Sequence, residues 1–307
     1  MKNWTLHYYY YYYVCANCNI FSNLLTIGYI FKNIIKILLQ LKKLNFLDII
    51  VSMKNYLIDT HAHIDMLPLD ETLKLMQDYA VKKAIIPSVE VETMDKVLEI
   101  AKNNENIFAM LGIFPSEAKT YTREIEEKIR ANADKIVAIG EIGLDYYWDK
   151  SFVELQKEVF TKQIRLANEL NLPIVVHDRD AHKDSFDIIK SENKGVDVLF
   201  HCFSGSVEFM RECVKEGWYI ALGGVVTFKN AVKIKEVAKE VPLEKLVLET
   251  DSPYLTPVPF RGKTNYPAYV KYVAEEIANL RAMPVDELIE ITTENAERLF
   301  KIWKKNV

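Results

Sequence analysis

The sequence predicts an α/β protein whose main domain is a (β/α)₈ TIM barrel. From residue 53 onward, short apolar runs rich in β-branched residues alternate eight times with longer amphipathic segments. Strands separated by helices pair in parallel through right-handed crossovers, and eight such units favour closure into a barrel. The first predicted strand is not followed by a glycine-rich phosphate-binding motif, which argues against an open dinucleotide-binding sheet.

The predicted elements have the lengths that a barrel requires. The strands are predicted at residues 56–60, 84–88, 108–113, 136–140, 174–177, 196–201, 218–222 and 246–249. The helices are predicted at residues 70–79, 94–103, 123–131, 152–170, 181–190, 207–216, 231–239 and 269–280. Residues 285–303 add one or two further helices, and residues 53–307 are therefore predicted to form a single barrel domain.

Residues 1–52 form an atypical leader with a composition of its own. Six tyrosines, Tyr8 to Tyr13, precede an apolar stretch that asparagines and lysines interrupt. The stretch lacks a secretory cleavage site and an unbroken membrane-length run, so stable membrane insertion is not expected. We predict a disordered segment or an amphipathic helix, with weak surface anchoring as an alternative. Met53 reads like the natural start of the domain, which favours a start-site artefact.

Charge and cysteine content narrow the functional class. The net charge is −4, and the leader contributes +4, so the barrel region is acidic. An acidic body argues against tight non-specific duplex binding but permits a nucleic-acid substrate held by metals and a few cations. The four cysteines show neither a secreted disulfide pattern nor a complete zinc-ligand set, which favours a cytoplasmic protein. These features leave the oligomeric state open.

Candidate metal ligands lie at the ends of five of the predicted strands or directly after them. They are His61, His63, Glu141, His177, His201 and Asp251. The carboxyl ends of barrel strands converge on one face, so these side chains are expected to meet there. Each of them alone would be a hydrogen-bonded residue at a strand end, but their coincidence favours a centre of two divalent cations. Imidazole and carboxylate ligands suit magnesium, manganese or zinc.

Such a centre predicts hydrolysis. Two neighbouring cations bind a water between them and lower its pKa, and the resulting hydroxide attacks phosphorus or a carbonyl carbon. Asp251 is the candidate general base. Asp59 lies on the same strand face as His61 and His63, where it would orient a ligand or make a structural hydrogen bond.

Four further residues are candidates for binding substrate. Arg179 lies two residues beyond His177, and Arg261 and Lys263 lie on the loop after the last strand, where they could contact phosphates. Solvated loop charges are the alternative for the last two. Tyr146 and the two aromatic residues after it would stack an unpaired base or pack over the barrel rim.

Five motifs, taken in order, resemble those of the TatD-related deoxyribonucleases. These are DTHAHID, GEIGLDYY, a helix with Gln156, Phe160 and Gln163 that leads into LPIVVHDRDA, HCFSG, and ETDSPYLTP. The resemblance covers residues 56–303 and leaves the leader unmatched. It implies a metal-dependent hydrolase barrel of the amidohydrolase type that cleaves phosphodiester bonds in DNA, often exonucleolytically.

The resemblance also implies roles for the six candidate ligands. One metal would be held by His61, His63 and Asp251, the other by His177 and His201, and Glu141 would bridge the two as a catalytic residue. Two positions depart from the family pattern. Phe114 replaces the histidine of a Gly-x-His-Pro motif, and Tyr266 replaces the acid of Arg-Gly-Lys-x-Asn-Glu-Pro. Both lie where substrate is expected.

The sequence therefore predicts a divalent-metal-dependent deoxyribonuclease that acts on single-stranded ends. Hydrolysis of an ester or amide, for example at an aminoacyl-tRNA end, is the second hypothesis. Related barrels of that kind use a carboxylated lysine as the bridge, and Glu141 at this position favours the nuclease. An inactive binding module is the third, and its main support is Phe114.

Overall fold

A computed structural model describes residues 56–303, and the predicted leader lies outside these residues. Eight parallel strands are hydrogen-bonded in sequence order from β1 to β8. They are β1 Leu57–Asp59, β2 Val81–Pro87, β3 Ile107–Leu111, β4 Ile136–Asp145, β5 Ile174–Arg179, β6 Val198–Phe200, β7 Tyr219–Leu222 and β8 Leu246–Leu248. The Thr60 N–H donates to the Leu248 carbonyl at 3.0 Å, which joins the two ends of the sheet. The predicted TIM barrel is confirmed.

Nine α-helices lie between and after the strands in the described part of the chain. They are α1 Leu69–Asp78, α2 Met94–Asn103, α3 Arg123–Ala131, α4 Val153–Leu170, α5 His182–Glu192, α6 Val207–Lys215, α7 Val232–Glu240, α8 Val270–Arg281 and α9 Val285–Phe300. Short 3₁₀ turns occupy several of the connecting loops. Within residues 56–303, none of the helices has both the length and the apolar character needed to cross a bilayer.

Two apolar clusters build the barrel, one between strands and helices and one inside the ring of strands. The inner cluster takes one buried side chain from most strands, including Ile58, Ile85 and Val175, and Leu299 and Phe300 of α9 complete it. Alternate strand residues point to opposite faces, so the same strands also feed the outer cluster.

Helix α9 closes the amino-terminal end of the barrel. The Thr293 hydroxyl donates to the Tyr56 carbonyl just before β1, and the Asn295 amide donates to the Leu246 carbonyl in β8. The carboxyl ends of the strands lie at the other end and remain available for function.

Strand β4 is longer than the sequence predicts. The sequence predicts an end at Gly140, but the strand continues to Asp145, so Glu141 lies within the strand and does not follow it. The pairing of β4 with β5 runs as far as Asp145 opposite Arg179. The local sequence, with charged and glycine residues after Gly140, hides this extension, which depends on hydrogen bonds from β5.

Gly143 permits the close approach of β4 to β5. Its φ is +147°, and an added Cβ would lie 2.0 Å from the His177 carbonyl oxygen. We expect Gly143→Ala to destabilise the protein by about 3 kcal/mol, since both the backbone strain and the steric clash cost free energy. Gly195→Ala is the matched control because its φ is +107° but its Cβ would meet nothing within 4 Å. Equal losses in urea unfolding would show that the β5 contact is unimportant.

Candidate metal centre

Glu141 lies at the centre of the six candidate ligands. Its Oε1 atom is 2.7 Å from His201 Nε2 and 2.8 Å from His177 Nδ1. Its Oε2 atom is 3.3 Å from His61 Nε2. The carboxylate is buried, with 3% of its surface exposed. Strand β4 thus brings one negative charge against three imidazoles from three other strand ends.

Asp251 and His63 extend this cluster on the side of β1 and β8. His63 Nε2 lies 3.4 Å from Asp251 Oδ1, and His61 Nε2 lies 3.9 Å from the same oxygen. Two sets of residues have ligand atoms within 4.8 Å of one another: His61, Glu141 and His201, and His61, His63 and Asp251. The two sets share His61 and together contain five residues, and His177 joins them through its 2.8 Å contact with Glu141. We call these six side chains the His–carboxylate cluster.

The cluster contains buried polar atoms that the protein itself does not satisfy. Neither ring nitrogen of His61 has a hydrogen bond, and His201 Nδ1 also lacks one. Leaving a buried polar group unpaired costs about 1–3 kcal/mol. A divalent cation can remove part of that cost by accepting the lone pair of one nitrogen on a ring, and the cluster supplies only imidazole and carboxylate donors. The residues therefore fit a metal ion.

The two carboxylates of the cluster are ionised. Burial alone would raise the pKa of Glu141, but His201 and His61 hold it well below its usual value. Burial likewise opposes ionisation of Asp251, and the hydrogen bond from His63 lowers its pKa below the ordinary value. Both groups are negatively charged at neutral pH, which a cation ligand requires.

The four histidines respond differently to this environment. Burial and the neighbouring His201 lower the pKa of His61, so its ring is neutral. Burial would also lower the pKa values of His63, His177 and His201, but contacts with carboxylates raise them above the ordinary value. A metal must displace protons from these three rings before it can bind them.

Two acids that the sequence did not single out lie next to the histidines. Asp145 Oδ2 is 3.1 Å from His177 Nε2, and this carboxylate is buried. Glu249 Oε1 is 3.7 Å from His201 Nδ1 and accepts the Cys202 N–H at 2.6 Å. A hydrogen bond such as that of Asp145 fixes the tautomer and direction of an imidazole ring, whereas the Glu249 contact with His201 is too long to be a hydrogen bond. Both acids lie inside motifs that carry the family resemblance, GEIGLD and ETDSP. Their position in these motifs is the sequence signal that could have identified them.

Asp59 supports the cluster through the backbone. Its Oδ1 atom accepts the His61 N–H at 3.2 Å and the Thr250 N–H at 3.0 Å, and its Oδ2 atom accepts the Thr250 hydroxyl. Of the two sequence alternatives, the structural hydrogen bond describes these contacts. Asp59 thereby ties the loop after β1 to the loop after β8.

Helix α4 holds the loops after β3 and β4 with two buried glutamines. The Gln156 side chain accepts the Asp145 N–H at 2.9 Å and donates to the Asp145 carbonyl at 3.1 Å. Gln163 makes the same pair of bonds to Ile113, at 2.7 and 3.0 Å. Seven residues separate the glutamines, which places them on one face of the helix. Their sequence positions belong to the family motif, but their roles follow only from the fold.

The predicted substrate residues lie in different surroundings. Arg179 is exposed, and its guanidinium carbon lies 3.9 Å from the Tyr147 ring centre. The Tyr146 hydroxyl donates to Asp184 Oδ2 at 2.8 Å, which directs it toward α5. Arg261 donates to the Thr256 carbonyl and lies over the Phe228 ring at 3.8 Å. Lys263 is exposed on the same loop.

The two positions that depart from the family pattern also differ in location. The Phe114 ring packs edge-on against His177, with ring centres 4.5 Å apart, so it lies beside the cluster. Tyr266 packs against Tyr269, with ring centres 5.9 Å apart. His182 lies outside the cluster: it is half-buried, bonded to Asp178 at 2.6 Å and stacked on Phe209.

Comparison with known proteins agrees with this geometry. The model of the family described as TatD related DNase matches residues 58–301. YabD of Bacillus subtilis, an uncharacterised metal-dependent hydrolase, is 47% identical over 253 residues, covering 80% of this chain and 99% of YabD. The crystal structure of YjjV, a TatD homologue from Escherichia coli, superposes with a TM-score of 0.76 at 30% identity, covering 80% of this chain and 98% of YjjV.

A more distant structure shares the fold alone. An uncharacterised amidohydrolase from Saccharomyces cerevisiae superposes with a TM-score of 0.71 at 16% identity, over 80% of this chain and 99% of the other. This likeness supports the TIM-barrel fold that the sequence predicted. The family match spans most of the sequence, and the His–carboxylate cluster lies within it. The chain belongs to the TatD related DNase family of metal-dependent hydrolases.

Proposed function

We propose that the protein is a deoxyribonuclease that hydrolyses phosphodiester bonds at single-stranded ends, with two divalent cations held by the His–carboxylate cluster. The observation that carries the proposal is the pair of ligand sets that share His61. One set lies toward Glu141 and the other toward Asp251, which supports two neighbouring cation positions. Magnesium, manganese and zinc are the candidate ions.

Different residues of the chain serve in metal binding and in proton transfer. The cations would supply charge neutralisation at the phosphate and activation of water. Glu141, which contacts three histidines, would be a ligand that holds the ions. Asp251 is ionised and its side chain is 16% exposed, compared with 3% for Glu141. Asp251 is therefore the carboxylate better placed to reach substrate and accept a proton.

The nuclease proposal is tested by substrate comparison. Purified protein is incubated with magnesium or manganese and with labelled single-stranded DNA, duplex DNA, RNA and an aminoacyl ester. We expect the single-stranded DNA to be shortened from an end and cleaved faster than the other three. Faster turnover of the aminoacyl ester would favour the ester hydrolase, and the absence of turnover and of bound metal would favour a binding module.

Metal binding is expected to stabilise the protein, and more so as the pH rises. At a free metal concentration of 100 times Kd, the stabilisation is about 2.7 kcal/mol. The raised pKa values of His63, His177 and His201 oppose metal binding at low pH, because protons occupy the same nitrogens. Thermal unfolding with and without manganese at pH 6 and pH 8 measures the difference.

The metal-free protein should show the opposite trend. The raised histidine pKa values contribute stability below the ordinary value of 6.5, and this contribution is lost as the pH rises through the folded-state values. His182→Ala is the control for the measurements with metal, since His182 lies outside the cluster and bonds to Asp178. Equal metal stabilisation at both pH values would contradict a role for these rings as ligands.

We also propose that the protein acts in the cytoplasm. The cysteines in the described part of the chain, Cys202 and Cys213, are free thiols. Free thiols are typical of reducing compartments, which supports this location.

A further inference from the structure

Exposed aromatic side chains are concentrated beside the His–carboxylate cluster. Among the described residues, the large apolar side chains that are most exposed include Met66 at 54%, Tyr147 at 53%, Trp148 at 72% and Tyr254 at 51%. Single exposed apolar side chains are ordinary, but several of them grouped together often mark a binding site. These four side chains form two pairs, which we call the Tyr147–Trp148 pair and the Met66–Tyr254 pair. Because each pair contains at least one aromatic ring, we refer to them together as the aromatic pairs.

The main chain of each pair is hydrogen-bonded to a residue of the His–carboxylate cluster or to Asp145, which contacts the cluster. Asp145 Oδ1 accepts the Tyr147 N–H at 2.8 Å and the Trp148 N–H at 3.3 Å, while its other oxygen contacts His177. On the other side, the Met66 N–H donates to the His63 carbonyl at 3.1 Å.

Tyr254 completes this second attachment. Its N–H donates to the Asp251 carbonyl at 2.9 Å, and its ring centre lies 6.1 Å from that of His63. The hydroxyl of Tyr254 contacts the Met66 sulfur at 3.8 Å, which holds the pair together.

The imidazole rings between the two pairs form a row. Successive ring centres, from His63 through His61 and His201 to His177, are separated by 5.2, 3.9 and 5.7 Å. The Met66–Tyr254 pair adjoins the first ring, and the Tyr147–Trp148 pair is joined to the last through Asp145. The two aromatic pairs therefore stand at the two ends of the row that would hold the reacting phosphate.

The Tyr147–Trp148 pair also carries a positive charge. The Arg179 guanidinium lies 3.9 Å from the Tyr147 ring centre and 5.5 Å from the Trp148 ring centre. A guanidinium that lies over an aromatic ring can still direct N–H groups toward a phosphate. This end of the row therefore offers both a stacking surface and a phosphate contact, the combination that single-stranded nucleic acid requires.

We propose that the two aromatic pairs bind the bases on either side of the cleaved phosphodiester bond in an unpaired strand. The inference rests on the proposed nuclease function and adds a substrate requirement: a base is needed on both sides of the bond. A base within a duplex is covered by its neighbours on both faces, so it cannot stack on these rings without leaving the helix.

Abasic substrates test the proposal directly. Three single-stranded oligonucleotides are compared: one intact, one lacking the base 5′ to the first bond cut, and one lacking the base 3′ to it. For the wild type we expect each missing base to lower kcat/KM about tenfold, since stacking on an aromatic side chain contributes that much to binding. Trp148→Ala should remove the penalty for one missing base, and Tyr254→Ala should remove the penalty for the other.

Two further variants complete the experiment. Trp148→Phe should restore the sensitivity that Trp148→Ala removes, because phenylalanine keeps an aromatic face. Trp303→Ala is the matched control, since this tryptophan is 55% exposed and follows α9 at the opposite end of the barrel. It should behave as the wild type toward all three substrates.

Different outcomes separate this inference from the function on which it rests. If the wild type cleaves DNA but both alanine variants keep both penalties, or both lose the same one, the two-sided arrangement is overturned while the nuclease stands. If the wild type cleaves neither the oligonucleotides nor a small phosphodiester with magnesium, manganese or zinc, the proposed nuclease function and the inference are overturned together.

Discussion

Glu141→Gln is expected to lower kcat/KM on the order of 10³-fold. The substitution keeps the shape of the side chain but removes the negative charge that lies against three imidazoles. An amide is a poor ligand for two cations, so the metal content of the purified variant should fall as well. Steady-state hydrolysis of a small phosphodiester and elemental analysis of the same sample measure the two effects.

The control for this variant is a glutamate outside the centre. Glu126 pairs with Arg130 on the surface helix α3, so Glu126→Gln removes the same charge without touching the cluster. It should retain wild-type activity and metal content. A Glu141→Gln enzyme with normal turnover and a full metal complement would show that Glu141 serves only as a buried partner of the histidines.

Asp251→Asn should reduce turnover by about 10²- to 10⁴-fold while the protein remains folded. Asp251 contacts His63 and His61 and is the candidate proton acceptor. Its φ is +53°, in the left-handed region where asparagine is tolerated and most other residues are strained. Asparagine therefore tests the charge alone, whereas alanine would change the backbone as well.

Asp180→Asn provides a matched comparison for Asp251→Asn. Asp180 also has a positive φ, +57°, and is exposed. Its substitution should leave kcat unchanged, and circular dichroism should show native folding for both variants. If Asp251→Asn retained full turnover across the pH range, Asp251 would not be the general base.

Much of the barrel could be predicted from local patterns, because strand and helix periodicities are properties of neighbouring residues. The predicted strands coincide with the observed ones to within a few residues, except that β2 begins earlier at Val81 and β4 ends later at Asp145. The extension of β4 depends on pairing with β5, and its acidic and glycine residues carry little strand propensity of their own. Pairing with a partner strand outweighed the local signal.

The six candidate ligands could also be identified from the sequence, because the carboxyl ends of all barrel strands lie at the same end of the fold. Their counterparts Asp145 and Glu249 were not, because an isolated acid has no local signature of its partner. The same limit applies to the aromatic residues after β4. Adjacent residues have nearly identical surroundings in the sequence, yet Tyr146 bonds to Asp184 while Tyr147 and Trp148 face solvent.

Periodicity and motif order were enough to establish the fold class, the family and the end of the barrel where the candidate ligands gather. Three-dimensional packing was needed to establish which atoms meet: Glu141 between three imidazoles, Asp145 behind His177, and an aromatic pair at each end of the histidine row. The physical reason is the separation along the chain between the residues that interact. Secondary structure follows from interactions between near neighbours, whereas contacts such as that between His201 and Glu141, 60 residues apart, exist only after the strands have paired.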